Sequence, residues 1–396
     1  MNDLKYIKGH ILFHCYFCYA VSGMVILLFG VILPDLIREN HLSFALAGGL
    51  LSFMAIGNLL ASIVYPLMSA RFSRKSSMVA LAVIYPVCLA AFTMRPPVWL
   101  MCAMMLLIGI TKGTVTIVNN LATKVATGNS NKYLNLLHMW YAVGAFACPL
   151  MMSLLAGLGF SWRVGVLILA LLAGVMVVSY ATMDFTQIER RGMGDSIQKA
   201  DRQTDSRGTL WFLKKRTFWV ITFLIFFYMG LENCVNGWFV TYLQDSGAMS
   251  AALASTMVSI TWVMIVLGRL VIAQISGRFS PRLILLVITA IQLAAVVVLV
   301  QSGSLTLTVL SLCLLGLGMA GSFPTAMSVV GDTLGNAPIG VSMLTGISSL
   351  GGILTPQVIG VLADHLGIRA AILFLLVNGA FLFACGLLAM DKKSCK

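Results

Sequence analysis

The sequence is short of charge. Asp, Glu, Lys and Arg together make up 10% of its 396 residues, whereas a soluble domain carries about a quarter. Hydrophobic residues make up 59%, and a water-soluble protein of that composition could not cover its surface. The composition therefore excludes a soluble domain and predicts an integral membrane protein. Because the apolar runs are about twenty residues long, we expect helices rather than a barrel.

Several motifs that carry chemistry are also missing. No glycine-rich loop ends in Lys-Ser or Lys-Thr, so the sequence predicts no ATP-driven motor. No cluster of His, Cys and carboxylates has metal-ligand spacing, and we interpret Cys15 and Cys18 in the first apolar run as buried, inert thiols. That run begins near Ile11 and continues past Gly30, too long for a signal-peptide core. We expect no enzyme, no cofactor and no metal.

Acidic residues are scarcer than basic ones. The sequence has 13 Asp and Glu against 26 Lys and Arg, which gives a net charge of +13. The basic residues lie at the ends of apolar runs, mostly on one side, which indicates membrane topology and not nucleic-acid binding. Those expected in the cytoplasm include Lys5, Lys8, Arg71, Arg74, Lys75, Lys124, Lys132, Arg278, Arg282, Lys392, Lys393 and Lys396. Those expected outside are Arg38, Arg95, Arg163 and Arg369. The asymmetry predicts that both termini are cytoplasmic. We expect a monomer in the lipid bilayer of the cytoplasmic (inner) membrane.

Twelve apolar spans can be drawn along the chain. They cover about 11–34, 45–68, 76–95, 97–122, 133–157, 162–183, 217–243, 250–275, 282–302, 304–328, 339–362 and 369–390. The one long polar stretch, 184–216, mixes both charge signs with Gly, Ser and Gln and predicts a cytoplasmic linker. We therefore divide the chain into a six-helix bundle at 1–183, the linker, and a second bundle at 217–396.

The two halves repeat the same landmarks at an offset of 207 positions. The matching pairs are Gly23 and Gly230, Gly30 and Gly237, Arg71-Phe72-Ser73 and Arg278-Phe279-Ser280, Gly109 and Gly316, Gly128-Asn129 and Gly335-Asn336, Gly144 and Gly351, and Pro149 and Pro356. One offset held across so many glycines, prolines and arginines indicates a tandem duplication. Six spans is an even number, so the halves enter the membrane from the same side and the repeat is parallel. The glycines and prolines of spans 5 and 11 are expected to let helices approach closely.

This architecture resembles the major facilitator superfamily, whose members carry Gly-x-x-x-Asp-Arg-x-Gly-Arg-Arg/Lys between spans 2 and 3. Here Pro66 and Ala70 replace the Gly and the Asp. The basic residues of this loop and of its repeat remain. The resemblance implies a gating role for Arg71, Arg74, Lys75 and Arg278. We also expect a gating role for Arg269 in span 8. The resemblance implies an all-α membrane protein with twelve transmembrane helices in two parallel six-helix halves. It also implies secondary transport by alternating access around a midplane site.

A finer resemblance is to the fucose/galactose/glucose–proton symporter branch. Span 7 matches its pattern at Tyr228, Gly230, Glu232, Gly237, Trp238 and Tyr242, and span 5 at Asn135, Leu136, His138, Gly144 and Ala145. Branch members place an acid in span 4, four positions before an Asn. This chain keeps Asn120 but has Thr116 at that position, so the usual span-4 proton carrier is absent.

Polar residues stand at helical spacing in the two spans that the resemblance places opposite each other. Span 4 carries Lys112, Thr116, Asn119 and Asn120 on one expected stripe, which must face water or protein and not lipid. Amides, carboxylates and an aromatic plane suit the hydroxyls and the apolar face of a sugar. The expected substrate-binding residues are Thr116, Asn119, Asn120, Asn135, Tyr141, Tyr228, Asn233, Asn236 and Trp238.

The expected proton-coupling residues are Glu232, Lys112 and His138. Ionisable side chains deep in a bilayer are costly and tend to be functional. If Glu232 instead pairs with Lys112 it stays ionised, and the cycle becomes uniport or exchange, or the pair is only a structural bridge between halves. His138 either relays protons or braces the cavity wall.

The sequence therefore predicts a transporter that moves a sugar or similar small polar solute, together with a proton. That substrate class rests on the resemblance and not on composition. One alternative is a proton-antiport exporter of drugs or amphipathic metabolites, for which the many Met and Phe residues leave room. A second is a membrane sensor built on the same scaffold, although no signalling domain fits in the linker or the tails.

Overall fold

We describe the chain from a computed structural model that covers residues 2–128, 130–186, 210–245, 249–334 and 338–390. Its α-helices are Asn2–Asn40, Phe44–Arg71, Arg74–Ala82, Ile84–Phe92, Val98–Thr127, Asn131–Gly157, Trp162–Thr182, Arg216–Asp245, Ala251–Ile275, Pro281–Gln301, Leu305–Met319, Ser322–Leu334, Pro338–Leu366, Ile368–Ile372 and Phe374–Met390. Those residues contain no β-strand. Twelve stretches are long and apolar enough to cross a membrane, which confirms the predicted all-α fold; we number them as spans 1–12.

Some sequence landmarks lie outside the described residues. They are Asn129, Gly335 and Asn336 of one repeated pair, most of the predicted linker (187–209), and the terminal lysines Lys392, Lys393 and Lys396. The end of the predicted linker contains a short 3-10 helix, Trp211–Lys214. The span 7 helix starts two residues later, at Arg216.

Three of the twelve spans are each built from two helices. Span 3 breaks at Val83, span 10 at Ala320 and span 12 at Leu373. A proline follows each of the first two breaks: Pro86 lies four residues after Ala82, and Pro324 lies four residues after Ala320. A proline lacks the N–H that would bond the carbonyl four residues earlier, and its ring clashes with that carbonyl. The breaks in spans 3 and 10 therefore follow from two prolines that are visible in the sequence.

Internal contacts divide the chain into two compact units. One comprises Met1–His41 and Leu50–Lys199, and the other comprises Leu42–Gly49 and Ala200–Lys396. In the first unit span 1 packs against spans 4, 5 and 6, and in the second span 7 packs against spans 8, 10, 11 and 12. The first residues of span 2 thus belong with the second unit, a detail that the division of the sequence into halves did not anticipate.

The duplication is visible in how helices begin. The hydroxyl of Ser43 accepts a hydrogen bond from the backbone N–H three residues later at 3.2 Å, and that of Ser250 does the same at 3.3 Å. Ser73 and Ser280 form a second such pair, at 3.0 and 3.3 Å. Each pair is separated by the repeat offset. A serine cap satisfies an N–H that the helix leaves unpaired and contributes about 1 kcal/mol.

Close helix contacts recur at glycines that are separated by the repeat offset. A Cβ placed on Gly144 of span 5 would lie 1.9 Å from the carbonyl oxygen of Ala20, and one on Gly351 of span 11 would lie 1.9 Å from that of Phe226. A side chain at either position would force the helices apart. The expectation that glycines bring spans 5 and 11 against their neighbours is confirmed.

A second repeated contact has its small residues exchanged between the halves. In the first unit, a Cβ on Gly113 of span 4 would lie 2.4 Å from the Cβ of Ala61 in span 2. In the second unit, a Cβ on Gly268 of span 8 would lie 2.6 Å from the Cβ of Ala320 in span 10. Residues 113 and 320 are repeat partners, as are 61 and 268. Each helix crossing therefore contains one glycine and one alanine. The alanine lies in span 2 in the first unit and in span 10, the repeat partner of span 4, in the second unit.

The outer faces of the helices are apolar. Leu171, Val175 and Val178 of span 6 are 74%, 54% and 60% exposed and follow one another at helical spacing. Such a stripe would be unfavourable in water but is compatible with lipid chains. The apolar residues in excess of what the core needs are thus explained by a lipid-facing surface.

Glu39 forms a polar hub at the end of span 1. Its carboxylate accepts hydrogen bonds from Trp162 Nε1 at 3.0 Å and from both terminal nitrogens of Arg163. Arg163 Nε donates to the carbonyl of Thr93 at 3.2 Å, and Arg95 Nε lies 3.7 Å from the carboxylate. A two-pronged guanidinium–carboxylate pair is among the stronger protein contacts. The hub fastens the ends of spans 1, 3 and 6 together.

We expect the variant Gly113→Ala to lower the unfolding free energy by about 1 to 3 kcal/mol, because its methyl group overpacks the span 2–span 4 crossing. Adding Ala61→Gly removes the nearer clash but not the 2.6 Å contact with the Asn58 carbonyl, so recovery should be partial. Thermal unfolding in detergent measures both effects. Gly174→Ala is the matched control, since no described atom lies within 4 Å of its new Cβ. Equal midpoints for all three variants would contradict the packing argument.

We expect Glu39→Ala to lower the unfolding free energy by about 2 kcal/mol or more. The substitution leaves the half-buried guanidinium of Arg163 without its carboxylate. Asp35→Ala is the control. Asp35 pairs with Arg38, whose side chain is 74% exposed, and such surface pairs contribute less than about 1 kcal/mol. Thermal unfolding in detergent measures both variants. A larger fall in the midpoint for Asp35→Ala than for Glu39→Ala would contradict the stabilising role of the Glu39 hub.

Candidate functional site: two polar helix faces

The polar stripe predicted in span 4 divides between two faces. Lys112, Thr116 and Asn120 are half-buried and succeed one another at four-residue steps, so they lie on one accessible face. The Thr116 hydroxyl donates to the Lys112 carbonyl at 3.0 Å, and Asn120 Nδ2 donates to the Thr116 carbonyl at 2.8 Å. The hydroxyl and the amide still have acceptor capacity for a solute.

Asn119 lies on the other face, inside the first unit. It is fully buried, and its Oδ1 accepts a hydrogen bond from the Tyr180 hydroxyl of span 6 at 2.9 Å. Among the residues that the structure describes, its Nδ2 has no hydrogen-bond partner. The sequence analysis placed Asn119 on the same stripe as Asn120. The structure separates them by burial: span 6 covers Asn119, whereas Asn120, about 100° further round the helix, stays half-buried.

Span 5 contributes an exposed polar edge to the first unit. Asn135 and His138 are exposed and Tyr141 is half-buried. Tyr19 of span 1 contacts the last two: its hydroxyl lies 3.5 Å from His138 Nδ1, and its ring centroid lies 5.4 Å from that of His138 and 5.0 Å from that of Tyr141. The aromatic contact positions the imidazole on a face that water or a solute can reach.

In the second unit, span 7 carries the matching polar face. Glu232, Asn233 and Asn236 are half-buried and occupy adjacent turns. The Tyr228 hydroxyl, one turn earlier, hydrogen-bonds the Glu232 side chain. Asn236 Oδ1 accepts from Trp262 Nε1 of span 8 at 3.2 Å. The carboxylate and the amide are thus held in position by side chains of their own unit.

Asn233 is held by span 11, where its Nδ2 donates to the Gly352 carbonyl at 3.0 Å. A Cβ on Gly352 would lie 2.1 Å from that Nδ2, so only glycine admits the amide. Trp238 differs from these amides because it is fully buried and its Nε1 donates to the Pro356 carbonyl at 3.0 Å. Its indole therefore ties span 7 to span 11 in this structure.

The predicted gating residues lie at helix ends. Arg71 ends the span 2 helix, Arg74 and Lys75 begin the span 3 helix, and Arg278 follows the span 8 helix. Arg269 lies within span 8, half-buried, and is close enough to Tyr228 to act on it electrostatically. Arg269 was expected to have a gating role, and its charge also acts on Tyr228 of span 7.

Asp184 supplies an acid near this end of the first unit. Its hydrogen bonds from Thr186 lower the pKa of the Asp184 carboxyl, and the charges of Lys75 and His10 lower it further. The carboxylate therefore stays ionised beside Lys75. The loop motif lacks its usual Asp, which Ala70 replaces, and nothing in the sequence pattern pointed to an acid more than a hundred positions away.

Sequence reasoning missed Tyr19 and Trp262 in these faces, and it expected Gly352 only to let helices approach. Tyr19, Trp262 and Gly352 each orient a predicted residue from another span. Glycine pairs such as Gly351 and Gly352 are a weak signal of close helix contact. They do not reveal which side chain the neighbouring helix places there, because that depends on which helices meet. Within the described parts of the chain, no group of three or more His, Cys, Asp or Glu is arranged to hold a metal ion.

The neighbours Asn119 and Asn120 provide a matched test. We expect Asn119→Ala to lower the thermal midpoint without altering how much a bound solute raises it, because Asn119 is enclosed by protein. We expect Asn120→Ala to leave the midpoint within about a degree or two but to reduce the solute-induced rise. If Asn119→Ala abolished solute binding at an unchanged midpoint, the division of the stripe would be wrong.

Comparisons with known proteins agree with this architecture. A yeast protein named bypass of stop codon protein 6, from Saccharomyces cerevisiae, is 22% identical over 386 residues, covering 90% of this chain and 77% of that protein. Among solved structures, a bacterial homolog of the human lysosomal transporter Spinster has a TM-score of 0.76 at 15% identity, covering 98% of both chains. A D-xylose–proton symporter has a TM-score of 0.76 at 13% identity, covering 97% of both. At such identities the structures establish a shared fold and no more.

The Escherichia coli fucose:proton symporter is a further similar structure, with a TM-score of 0.61 at 17% identity, covering 96% of this chain and 98% of that one. The sequence profile of the Major Facilitator Superfamily matches residues 15–356. That match spans both repeats and every residue of the two polar faces. The chain is therefore a multi-pass membrane transporter, not an enzyme, and belongs to the Major Facilitator Superfamily.

Proposed function

We propose that this transporter moves a sugar or a similarly small polar solute across the cytoplasmic membrane by alternating access, coupled to a proton. The observation that carries the proposal is the span 7 face, where Glu232, Asn233 and Asn236 are half-buried and fixed by neighbours. An ionisable group and two amides inside an apolar span are costly, and residues of this kind tend to be functional.

The chemistry of both faces suits a neutral, hydroxyl-rich cargo. Amides such as Asn120 and Asn236 both donate and accept hydrogen bonds, as solute hydroxyls do. Pre-oriented partners reduce the entropy that binding costs, and Trp262 holds Asn236 in that way. The similar structures include a xylose–proton symporter, a fucose:proton symporter and a nucleoside transporter. Those cargoes support the proposed class of solute.

Glu232 is the proposed proton carrier. A carboxyl group changes between a neutral and an anionic form when it takes up or releases a proton, and each form favours a different set of surroundings. Tyr228 donates to the carboxylate form, and the positive charge of Arg269 lies nearby. His138 is proposed as a relay, and the pairing of Lys112 with Glu232 stays a prediction.

The charge distribution supports cytoplasmic termini. Each basic residue expected outside has an acidic neighbour: Arg38 pairs with Asp35, Arg95 and Arg163 with Glu39, and Arg369 with Asp245. That side is close to neutral, whereas the other side keeps its excess of Lys and Arg. We accordingly propose that the chain lies in the cytoplasmic membrane in that orientation and acts as a monomer.

A thermal-shift screen of the purified protein tests the substrate class. The probes are D-xylose, L-fucose, uridine, an amino acid and a lipophilic cation such as tetraphenylphosphonium. A ligand present at a hundred times its Kd stabilises the folded state by about 2.7 kcal/mol. We expect a polar neutral solute to raise the midpoint and the lipophilic cation to leave it unchanged. The reverse result would favour the drug-exporter alternative and overturn the proposal.

We expect Glu232→Gln to abolish solute-driven proton uptake while exchange of labelled for unlabelled solute continues, because exchange needs no net proton movement. The measurement is solute flux into proteoliposomes with simultaneous recording of external pH, using whichever probe the screen identifies. Asp245→Asn, an exposed acid at the end of the same helix, is the control and should behave as the parent. Proton uptake by Glu232→Gln at the parental rate would exclude Glu232 as carrier.

A further inference from the structure

The beginning of span 2 is docked on the second unit, and one carboxylate accounts for much of that docking. Asp364, near the end of the span 11 helix, accepts a hydrogen bond from the backbone N–H of Phe44 at 2.6 Å through Oδ1 and from that of Ala45 at 3.0 Å through Oδ2. These are the first two N–H groups of the Phe44–Arg71 helix. They have no partner within the helix and carry its positive end.

The rest of the contact is backbone against backbone. A Cβ on Gly48 would lie 2.8 Å from the Pro356 carbonyl oxygen, and one on Gly360 would lie 2.4 Å from the Phe44 carbonyl oxygen. Gln357 Nε2 donates to the Ala45 carbonyl at 3.2 Å. Two glycines thus let the helices approach until a side chain of span 11 can bond the backbone of span 2. We call this contact, made by residues 44–48 and 356–364, the clasp.

The clasp adjoins the buried end of the span 7 face. The Phe44 ring lies 6.2 Å from that of Trp238, and Trp238 bonds the Pro356 carbonyl. Asn236 lies two residues before Trp238 on the same helix. The first turns of span 2, the end of span 11 and the tryptophan that follows the polar face therefore form one packed layer in the second unit.

We propose that Asp364 is a positioning residue of the transport cycle: it holds the clasp shut in one state, and the clasp releases when the polar face opens toward the side where span 2 begins. The contact suits reversible use. The Asp364 carboxylate and the Phe44 and Ala45 amides lie at an exposed edge, so water can replace each hydrogen bond when the helices part. The continuation of span 2 belongs to the other unit, so any rearrangement of that helix acts on the clasp.

This inference rests on the alternating-access part of the proposed function, and the first test needs no solute. Hydrogen–deuterium exchange of the full chain in nanodiscs follows the amides of Phe44 and Ala45. Losing a hydrogen bond to a charged acceptor should speed their exchange about tenfold or more in Asp364→Ala. Asp364→Glu should restore part of the protection. Asp245→Asn, an exposed acid of the same unit, is the matched control and should match the parent.

A second readout separates a positioning role from a simple helix cap. The substitution Asn236→Cys is placed in a background where Cys102, Cys313 and Cys395 are serine, and a membrane-impermeant maleimide is added from either side of the vesicle. When Asp364→Asn is added, labelling of the introduced thiol from the side where span 2 begins should rise several-fold, and labelling from the other side should fall. The thermal midpoint, measured in parallel, should remain well above the labelling temperature.

Each result decides the proposal. Unchanged amide exchange in Asp364→Ala would show that the carboxylate does not hold the clasp. Faster exchange with an unchanged labelling rate of the thiol introduced by Asn236→Cys would reduce Asp364 to a local cap and overturn its role in the cycle. Failure of the solute screen would leave both readouts in place, so it would weaken the proposed cargo without touching the clasp.

Discussion

The constraint on which the rest of this structure depends is the lack of water in a bilayer. Every polar group in a span must bond to protein or face an aqueous space, so a polar residue in this chain has few possible positions. Asn119 finds the Tyr180 hydroxyl, and Asn233 finds the Gly352 carbonyl. Glu232 and Asn120 differ from Asn119 in that they are half-buried and not wholly enclosed. The proposed site consists of such half-buried polar side chains.

Small residues make those polar bonds possible. Trp238 and Asn233 reach backbone carbonyls of span 11 because Gly351 brings that helix against span 7. The hydrophobic effect does not drive helices together inside lipid, so close approach and the contacts that it allows are the main source of association. The repeated glycine positions thus explain both the stability of each unit and the placement of its polar side chains. The exchanged Gly and Ala pairs show that the spacing is maintained while the residue that provides it changes.

Much of the fold followed from the sequence. Apolar runs of about twenty residues define the spans, and the constant offset of the glycines, serines and prolines defines the duplication, because both properties are local or periodic along the chain. The breaks in spans 3 and 10 were not predicted, although Pro86 and Pro324 are a signal for them. The polar faces were predicted only in part: helical periodicity named Lys112, Thr116 and Asn120 but placed Asn119 with them. It also could not reveal that Trp262 holds Asn236, since those residues meet through packing between spans.

By itself, then, the sequence determined that this protein spans a membrane twelve times in two related halves and which residues bring polarity into the spans. Composition and spacing carry that information, since lipid tolerates only closed backbone hydrogen bonding. Tertiary structure alone decided which of those polar side chains are enclosed and which stay accessible, and that Asp364 meets the beginning of a helix 320 positions earlier. Such pairings depend on the crossing geometry of the helices and on the distance between them. No single segment of the chain determines either.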